Sequence, residues 1–522
     1  MSSSTATISA ADAAARPAPV RFLSGHYALI VGLAALVTLP LLLPPVLPLA
    51  DLGGHIGRYA VQLDAGRDPQ LVRWYSFSWQ LLPNLGADLL VEALGPLIGL
   101  EPAVRAIVML AVFLQAFGIL ATSRVLYGRV TPFAIFALPL VYAHSTLYGF
   151  LNYMLALGLL WCSLALWIAM SAGAAIRHRW AAFAVIATIT WVCHLVGWSL
   201  LCIAAGSQEL TRQRERKGAL MPAAVASIGP LSCLLLPWVI KLLAFEPAGG
   251  SGKNSGFFLM ADKFDELLQV FRDQWHHFDI VSLSIVAVVI VWSWISGRTR
   301  LNRGLALAAL ITAVCVIVVP HRLLGSFFAD QRLIEPALVF ALLAVGFSGR
   351  GPVRLPQALF AMAALFAGAR LIGNTISLWQ LGNRSANELK VLEALPRHAQ
   401  MVTFRALRCP PPMQWTIDRW THLSGYAVAR RHAFSNDQWD IPGAQLLKVH
   451  NPSAGRFRAD DSQIVYERAC RGRSGVVDQV QQVPAAISYL WVLWSGTPRP
   501  LAGWEAIARN GGSVLYRRPG AG

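Results

Sequence analysis

A series of long apolar segments, joined by short loops that carry arginine, constrains this chain more than any other feature. A helix crosses the hydrocarbon core of a bilayer in about 20 residues, and most of these segments have that length. Only 14% of the residues are charged, whereas soluble domains carry about 25%. The sequence therefore predicts an all-α polytopic membrane domain. Its predicted spans are 26–43, 103–123, 131–146, 150–171, 219–244, 280–297, 304–320, 333–349 and 356–379.

The segment 180–206 is also apolar, but basic loops flank it on both sides. Loops rich in arginine and lysine stay on the cytoplasmic side of a membrane, so a single crossing would carry one of these loops outside. We therefore predict two short helices that turn near Cys193 and His194, which brings the total to about 11 crossings. One ordinary span that breaks the charge rule is the alternative.

The formal net charge of +17 could suggest a nucleic-acid partner, but its distribution indicates a different role. Much of the excess lies in the short loops between apolar segments, where positive charge orients a membrane protein. We therefore expect membrane lipid and no nucleic acid as a partner, and the sequence identifies no protein partner. The predicted location is the inner (cytoplasmic) membrane, with a cytoplasmic N-terminus and an extracytoplasmic C-terminal domain.

Composition divides the chain into three parts. Residues 1–25 are rich in serine and alanine and predict a disordered cytoplasmic tail. Residues 26–380 form the membrane domain, with a long first external loop at 50–102, and 381–522 have the composition of a soluble α/β domain. In that last part we expect a helix at 504–509 and strands at 401–407, 445–449, 487–494 and 513–517.

Two of the seven cysteines, Cys409 and Cys470, lie in the predicted external domain. Because disulfides form outside the cytoplasm, this pair predicts one disulfide, with two free thiols as the alternative. The sequence contains no cysteine or histidine spacing typical of zinc and no glycine-rich nucleotide loop. It therefore assigns no cofactor.

Polar side chains gather at the predicted external ends of the spans. Polar groups at membrane depth are costly and usually line a cavity. Arginine binds phosphate through its planar fork, and a carboxylate suits a general base. We take Asp51 as the candidate catalytic residue; the candidate substrate-binding residues are His55, Arg58, His144, Asn152, Tyr153, His194, Arg322, Asp330 and Arg332.

Asp51 directly follows the proline-rich end of the first apolar segment, where a helix must break. If 51–63 resumes as a helix, Asp51, His55 and Arg58 lie on one face. The structural alternative is that Asp51 caps this helix and pairs with Arg58. Asp51 and His55 could also hold a divalent metal, but two ligands are too few to assert one.

This arrangement resembles the GT-C superfamily of integral membrane glycosyltransferases over the whole chain. The local matches are Leu49–His55 after the first span, Gly149–Tyr153 at the fourth and Asp330–Leu333 at the ninth. Trp504-Glu505 and Leu515–Arg517 also resemble the end of the external domain of that superfamily. Many members have paired acids in the first loop, whereas Asp51 has no acidic neighbour, which leaves metal dependence and catalysis open.

The resemblance implies transfer of a sugar from a polyprenyl-phosphate carrier to an envelope glycan, lipid or protein on the external face. Asp51 would deprotonate the acceptor hydroxyl, and Arg58, Arg322 and Arg332 would stabilise the leaving phosphate. Two alternatives remain open: a transporter or flippase of a lipid-linked or anionic solute, and a non-catalytic assembly partner with a GT-C-like fold.

Overall fold

A computed structural model describes residues 25–243, 254–349, 354–409, 415–470, 472 and 474–520. The predicted N-terminal tail, residues 1–25, lies outside the described residues except for its last position. The helices are α1 (Gly25–Thr38), α2 (Leu52–Asp64), α3 (Pro69–Val72), α4 (Gly86–Ile98), α5 (Leu100–Tyr127), α6 (Pro132–Ala137), α7 (His144–Tyr148), α8 (Leu151–Gly173), α9 (Ile176–Cys193), α10 (Leu195–Lys217), α11 (Leu220–Leu231), α12 (Leu236–Leu243), α13 (Met260–Leu268), α14 (His276–Ile295), α15 (Arg303–Val318), α16 (Ile334–Leu343), α17 (Arg354–Glu388), α18 (Gly425–Arg431) and α19 (Val476–Gln481). The strands are β1 (Tyr75–Phe77), β2 (Thr299–Leu301), β3 (Val345–Phe347), β4 (Met401–Leu407), β5 (Leu447–Val449), β6 (Ile464–Tyr466), β7 (Tyr489–Trp494), β8 (Glu505–Asn510) and β9 (Ser513–Arg517).

The molecule is a multi-pass helical membrane protein with a small sheet near its C-terminus. Within the described residues, 5 helices are long and apolar enough to cross a bilayer. They are Leu100–Tyr127, Leu151–Gly173, Leu220–Leu243, His276–Ile295 and Arg354–Ala394. Shorter apolar helical segments cover Tyr27–Leu41, Pro132–Tyr148 and Arg303–Val318. These helices coincide with most of the predicted spans, while the total of about 11 crossings stays a prediction.

The apolar segment 180–206 is divided between two helices, α9 and α10, as its flanking charges predict. His194 separates them in an extended conformation, and its Nδ1 accepts the backbone N–H of Val196 at 3.1 Å. Arg179 near the start of α9 forms a buried ion pair of 3.5 Å with Glu209 in the second half of α10. The two helices therefore pack side by side in opposite directions, with their basic ends together.

The C-terminal region forms a five-stranded mixed sheet in the order β6-β4-β7-β9-β8. Strands β4, β5, β7 and β9 lie within the predicted strand segments. The helix predicted at 504–509 is wrong, because these residues form strand β8, which pairs antiparallel with β9. Gly511 has φ 56°, the left-handed conformation that a tight hairpin needs, so the turn and the pairing override the local helical preference.

The first external loop and the C-terminal domain share a small second sheet. Strand β1 of the loop pairs antiparallel with β5 of the domain, with Tyr75 opposite Val449. The Tyr75 hydroxyl donates to the carbonyl of Ser435 at 2.9 Å, and its ring stacks on Phe434. Trp74 and Tyr75 are therefore buried between the loop and the domain.

Cys409 after β4 and Cys470 after β6 are joined in a disulfide, the pairing that the sequence predicts. Their Cα atoms lie 5.9 Å apart, within the usual range for such a bond. The disulfide connects two neighbouring strands of the sheet on the side away from β8.

Reporter fusions test the orientation. A reporter fused after Lys217 should report cytoplasm, and one fused after Leu395 should report the exterior, because the paired helices α9 and α10 return the chain to its starting side. The measurement is alkaline phosphatase activity, which needs export, compared with fluorescence of a cytoplasmic reporter at the same positions. An exported reporter at Lys217 would contradict the predicted topology.

Candidate functional site

Asp51 is held by its backbone at the start of α2. Its N–H donates to the carbonyl of Tyr148 at 2.8 Å, and its own carbonyl accepts the N–H of His55 at 3.1 Å. Its side chain makes no capping hydrogen bond to the helix. The Asp51 carboxylate therefore does not cap α2. The alternative that Asp51 serves as a helix cap is wrong in this respect.

Arg58 is not the ion partner of Asp51. Its guanidinium forms a buried pair with Asp88 of α4 at 3.0 Å and donates to Gln445 of the C-terminal domain at 2.5 Å. The side chain is almost fully buried, so Arg58 connects α2, α4 and the domain. Within the part of the chain that the structure describes, the Asp51 carboxylate forms no ion pair or hydrogen bond.

A cavity of about 390 Å³ lies between the membrane helices and the C-terminal domain. Seven predicted site residues come together in its wall, from five separate segments of the chain. They are Asp51, His55, Asn152, Tyr153, His194, Arg322 and Arg332.

The other three predicted site residues lie outside the cavity wall, each in contacts of its own. Arg58 is paired with Asp88, as described above. His144 is buried, with its ring stacked on Tyr148 at a centroid distance of 3.8 Å. Asp330 forms a buried ion pair of 2.6 Å with Lys263 of α13. These three support the walls of the cavity and do not face it.

The two cavity arginines have no acidic partner among the residues that the structure describes. Arg332 lies over the ring of Phe150 at 4.4 Å and donates to the Ser326 hydroxyl at 3.2 Å, while Arg322 lies over the ring of Phe327 at 4.7 Å. Both have a buried Nε that makes no hydrogen bond to a described residue. Neither forms an ion pair with a described carboxylate. Since a positive charge that is partly removed from water is stabilised by a negative partner, these half-buried guanidinium groups favour an anion in the cavity.

The remaining polar wall comes from the C-terminal domain, and sequence reasoning missed it. His422, Trp439 and Asp460 line the cavity together with Asp51. His422 Nδ1 lies 3.0 Å from the carbonyl oxygen of Asp437, and its Nε2 lies 3.9 Å from Asp460. No motif or spacing signals these residues, because only the docked domain brings them beside Asp51.

The surroundings of Asp51 raise the pKa of its carboxyl group towards neutral pH. Burial raises the pKa of the Asp51 carboxyl to about 6, opposed by the positive charges of His422 and Arg332 and reinforced by Asp460. Burial by itself would lower the pKa of His422, but the carboxylates of Asp460, Asp51 and Asp437 outweigh it and raise that pKa. The site therefore contains an acid and an imidazole whose pKa values are both raised, each partly by the charge of the other.

The side chains of Asn152 and His55 differ in whether their polar atoms are already hydrogen-bonded within the protein. The Asn152 amide accepts from the N–H of Ala87 at 2.5 Å and donates to the carbonyl of Asn84 at 2.8 Å, so it orients α4 against α8. His55 Nδ1 is buried and makes no hydrogen bond to a described residue. Of these two polar groups, His55 is the one that remains available to a ligand.

The cavity depends on a very close approach of α2 and α18. A Cβ atom at Gly53 would overlap the carbonyl oxygen of His422, and one at Gly425 would overlap the carbonyl oxygen of Gly53. At Gly54 it would lie 2.6 Å from the Trp439 ring. The glycines after Asp51 therefore let the domain bring His422 and Trp439 against the start of α2.

Among the described residues, the clusters of potential metal ligands do not include Asp51 or His55. Clusters of three potential ligands occur at Asp68/His398/His432 and at Glu266/His321/Asp330, and neither contains Asp51 or His55. The described residues therefore place no third ligand beside that pair.

Comparison with known proteins adds a likeness of fold. No family model and no curated protein matches this sequence. The structure is similar to the crystal structure of ArnT from Cupriavidus metallidurans bound to undecaprenyl phosphate, with a TM-score of 0.49 and 14% identity over 96% of this chain and 99% of that chain. The apo structure of ArnT is similar at 13% identity, with a TM-score of 0.49, over 94% of this chain and 97% of that one. At this identity and TM-score the likeness assigns no activity and no residue role to this chain.

Substitution of Gly53 tests the close contact. Gly53→Ala should lower stability by about 1–3 kcal/mol, because its methyl group overlaps backbone that cannot move away without displacing the domain. The measurement is the thermal unfolding midpoint in detergent. Gly206→Ala on α10 is the matched control, since a Cβ there meets nothing within 4 Å. Equal midpoints for the two variants would contradict the contact.

Proposed function

We propose that this protein is a membrane glycosyltransferase that moves a sugar from a polyprenyl-phosphate donor to an acceptor on the external face of the membrane. One observation carries the proposal. Arg322 and Arg332, which form no ion pair with a described carboxylate, line the same cavity as Asp51, whose carboxylate forms no ion pair or hydrogen bond with a described residue. The cavity thus contains two guanidinium groups that can bind an anion and one carboxylate that can accept a proton.

Asp51 is the general base of the proposed reaction. Its carboxylate takes the proton of the acceptor hydroxyl as the acceptor oxygen attacks the anomeric carbon of the sugar. A pKa of about 6 keeps the carboxylate mostly ionised at neutral pH while making it more basic than an ordinary aspartate. Attack from the side opposite the leaving group inverts the configuration at that carbon.

Arg322 and Arg332 act on the leaving group. As the bond between the anomeric carbon and the phosphate oxygen breaks, the polyprenyl phosphate gains negative charge. Guanidinium groups already fixed on Phe150 and Phe327 stabilise that charge without reorganising. Their planar forks also match the geometry of phosphate oxygens.

His55, Tyr153 and His194 are the proposed contacts to the sugar or the acceptor. All three line the cavity, and the Nδ1 of His55 has no partner among the described residues. Arg58, Asn152, Asp330 and His144 are instead proposed to hold the wall in place. The membrane domain then spans residues 26–380 in the inner membrane, and 381–522 lie outside it.

The central variant is Asp51→Asn. It keeps the shape of the side chain but removes the base, so the transfer rate should fall by roughly 10²–10⁴-fold with little change in stability. Purified protein is assayed for sugar transfer from a polyprenyl-phosphate donor, with the wild type shown to be active first. Asp265→Asn, an exposed acid on α13, is the control and should retain full activity. Full activity of Asp51→Asn would remove Asp51 as the base.

The pH profile gives an independent test of the same group. Because the ionised carboxylate is the active form, kcat/KM should rise with pH and level off above about 6. In Asp51→Asn that acid limb should disappear, leaving a low and flat residual rate. If the pH profile of Asp51→Asn kept an acid limb with the same midpoint, that limb would belong to the titration of another group.

A further inference from the structure

Two imidazoles and a carboxylate converge on the external side of the molecule, away from the cavity. Asp68 begins α3 in the first external loop, His398 precedes β4 and His432 ends α18. His398 Nε2 lies 2.8 Å and His432 Nδ1 lies 2.5 Å from the same oxygen of Asp68, Oδ2. The first loop and the C-terminal domain thus each contribute potential metal ligands to one point.

The backbone positions each ligand independently of the cluster. Asp68 Oδ1 accepts the N–H of Gln70 at 2.9 Å, which leaves Oδ2 for the histidines. The N–H of His398 donates to the Arg431 carbonyl, the residue just before His432, so the two histidines are tied to each other through the main chain. Both histidines also have positive φ, 60° and 49°, a conformation that the surrounding fold must hold in place.

The donor set suits a divalent transition metal. Zinc takes nitrogen and carboxylate oxygen ligands at about 2.0–2.2 Å, which separates the ligand atoms of a tetrahedral site by about 3.3 Å. The three atoms here lie within 4.8 Å of one another, so small side-chain rotations open the space for an ion. The histidine side chains are 38% and 28% exposed, which lets water reach a fourth position.

The second cluster of potential ligands is less suited to a cation. Asp330 in that cluster already accepts from the Lys263 ammonium group at 2.6 Å, and Lys263 also binds the carbonyls of Val316 and Val319. A fixed positive charge therefore occupies the place that a metal would need. No lysine or arginine ion pair to Asp68 occurs among the described residues, and its recorded ion partners are histidines.

We propose that Asp68, His398 and His432 form a binding site for a divalent transition metal such as Zn²⁺. The ion clamps the first external loop to the C-terminal domain. Asp68 lies just after α2, and Asp51 lies at the opposite end of that helix. The metal thus holds the far end of the same helix whose start forms the cavity wall, and this role does not require the proposed activity.

The test uses the full-length protein in detergent, stripped with a chelator and titrated with Co²⁺ as a spectroscopic probe. The wild type should develop visible d–d absorption that saturates at about one equivalent, and Zn²⁺ should displace it. His398→Ala and His432→Ala should each weaken Co²⁺ binding by more than the roughly 10–100-fold that loss of an outer-shell partner costs. Asp68→Asn, which keeps the shape of the side chain, should weaken it as well.

Two controls separate this site from other imidazoles. His450→Ala removes a nearby histidine whose Nε2 lies 3.0 Å from the Val72 carbonyl oxygen, and His321→Ala disrupts the second cluster. Both should bind Co²⁺ like the wild type. The proposal is overturned if the wild type shows no saturable absorption, or if the signal survives in Asp68→Asn and is lost in His321→Ala.

Thermal unfolding provides a readout that does not depend on the histidine variants folding fully. Zn²⁺ bound only by the folded state should raise the unfolding midpoint of the wild type, and chelation should reverse it. In Asp68→Asn the midpoint should be insensitive to both. An equal response to Zn²⁺ in the wild type and Asp68→Asn would contradict a clamp at this position.

Discussion

The site depends on the contact between the backbones of α2 and α18. Gly53 and Gly425 lie so close that neither position has room for a side chain. Because Asp51 immediately precedes α2 and His422 lies shortly before α18, this contact brings the acid and the imidazole to the same cavity. A looser fit would leave Asp51 facing open solvent, where its pKa would return towards its ordinary value.

Buried ion pairs hold the domain on the membrane helices around that contact. Arg419 donates to the carbonyls of Pro48 and Leu147 and pairs with Asp273 at 2.6 Å. Arg58 joins α2 to Asp88 in the same way. Such pairs are costly to break, because the remaining charge is left buried. Against this background, Arg322 and Arg332 stand apart as half-buried arginines whose Nε atoms are buried and which form no ion pair with a carboxylate among the described residues.

Much of the architecture follows from patterns that are local in sequence. The length of the apolar segments predicts most of the helices, and the charges around 180–206 predict the turn at His194. Asp51, Arg322 and Arg332 are candidates because each lies at the external end of a predicted span, and all three line one cavity in the structure. The pairing of Cys409 with Cys470 is likewise predicted, because both cysteines lie in the predicted external domain, where disulfides can form.

What the sequence misses depends on partners that are distant along the chain. Helical spacing suggests Asp51 as the partner of Arg58, but Asp88 of α4 reaches it in three dimensions. His422 and Asp460 carry no local signal, since they acquire a role only when the domain docks. Residues 504–509 have helical preference, and pairing with β9 makes them a strand.

The proposed function depends on the binding of a phosphate in the cavity beside Arg322 and Arg332. An electron cryo-microscopy map of the protein with a polyprenyl phosphate tests it directly. We expect phosphate density at hydrogen-bond distance, about 3 Å, from both guanidinium groups, with the Asp51 carboxylate facing the same space. A phosphate bound elsewhere, with both arginines still without an anion, would contradict it.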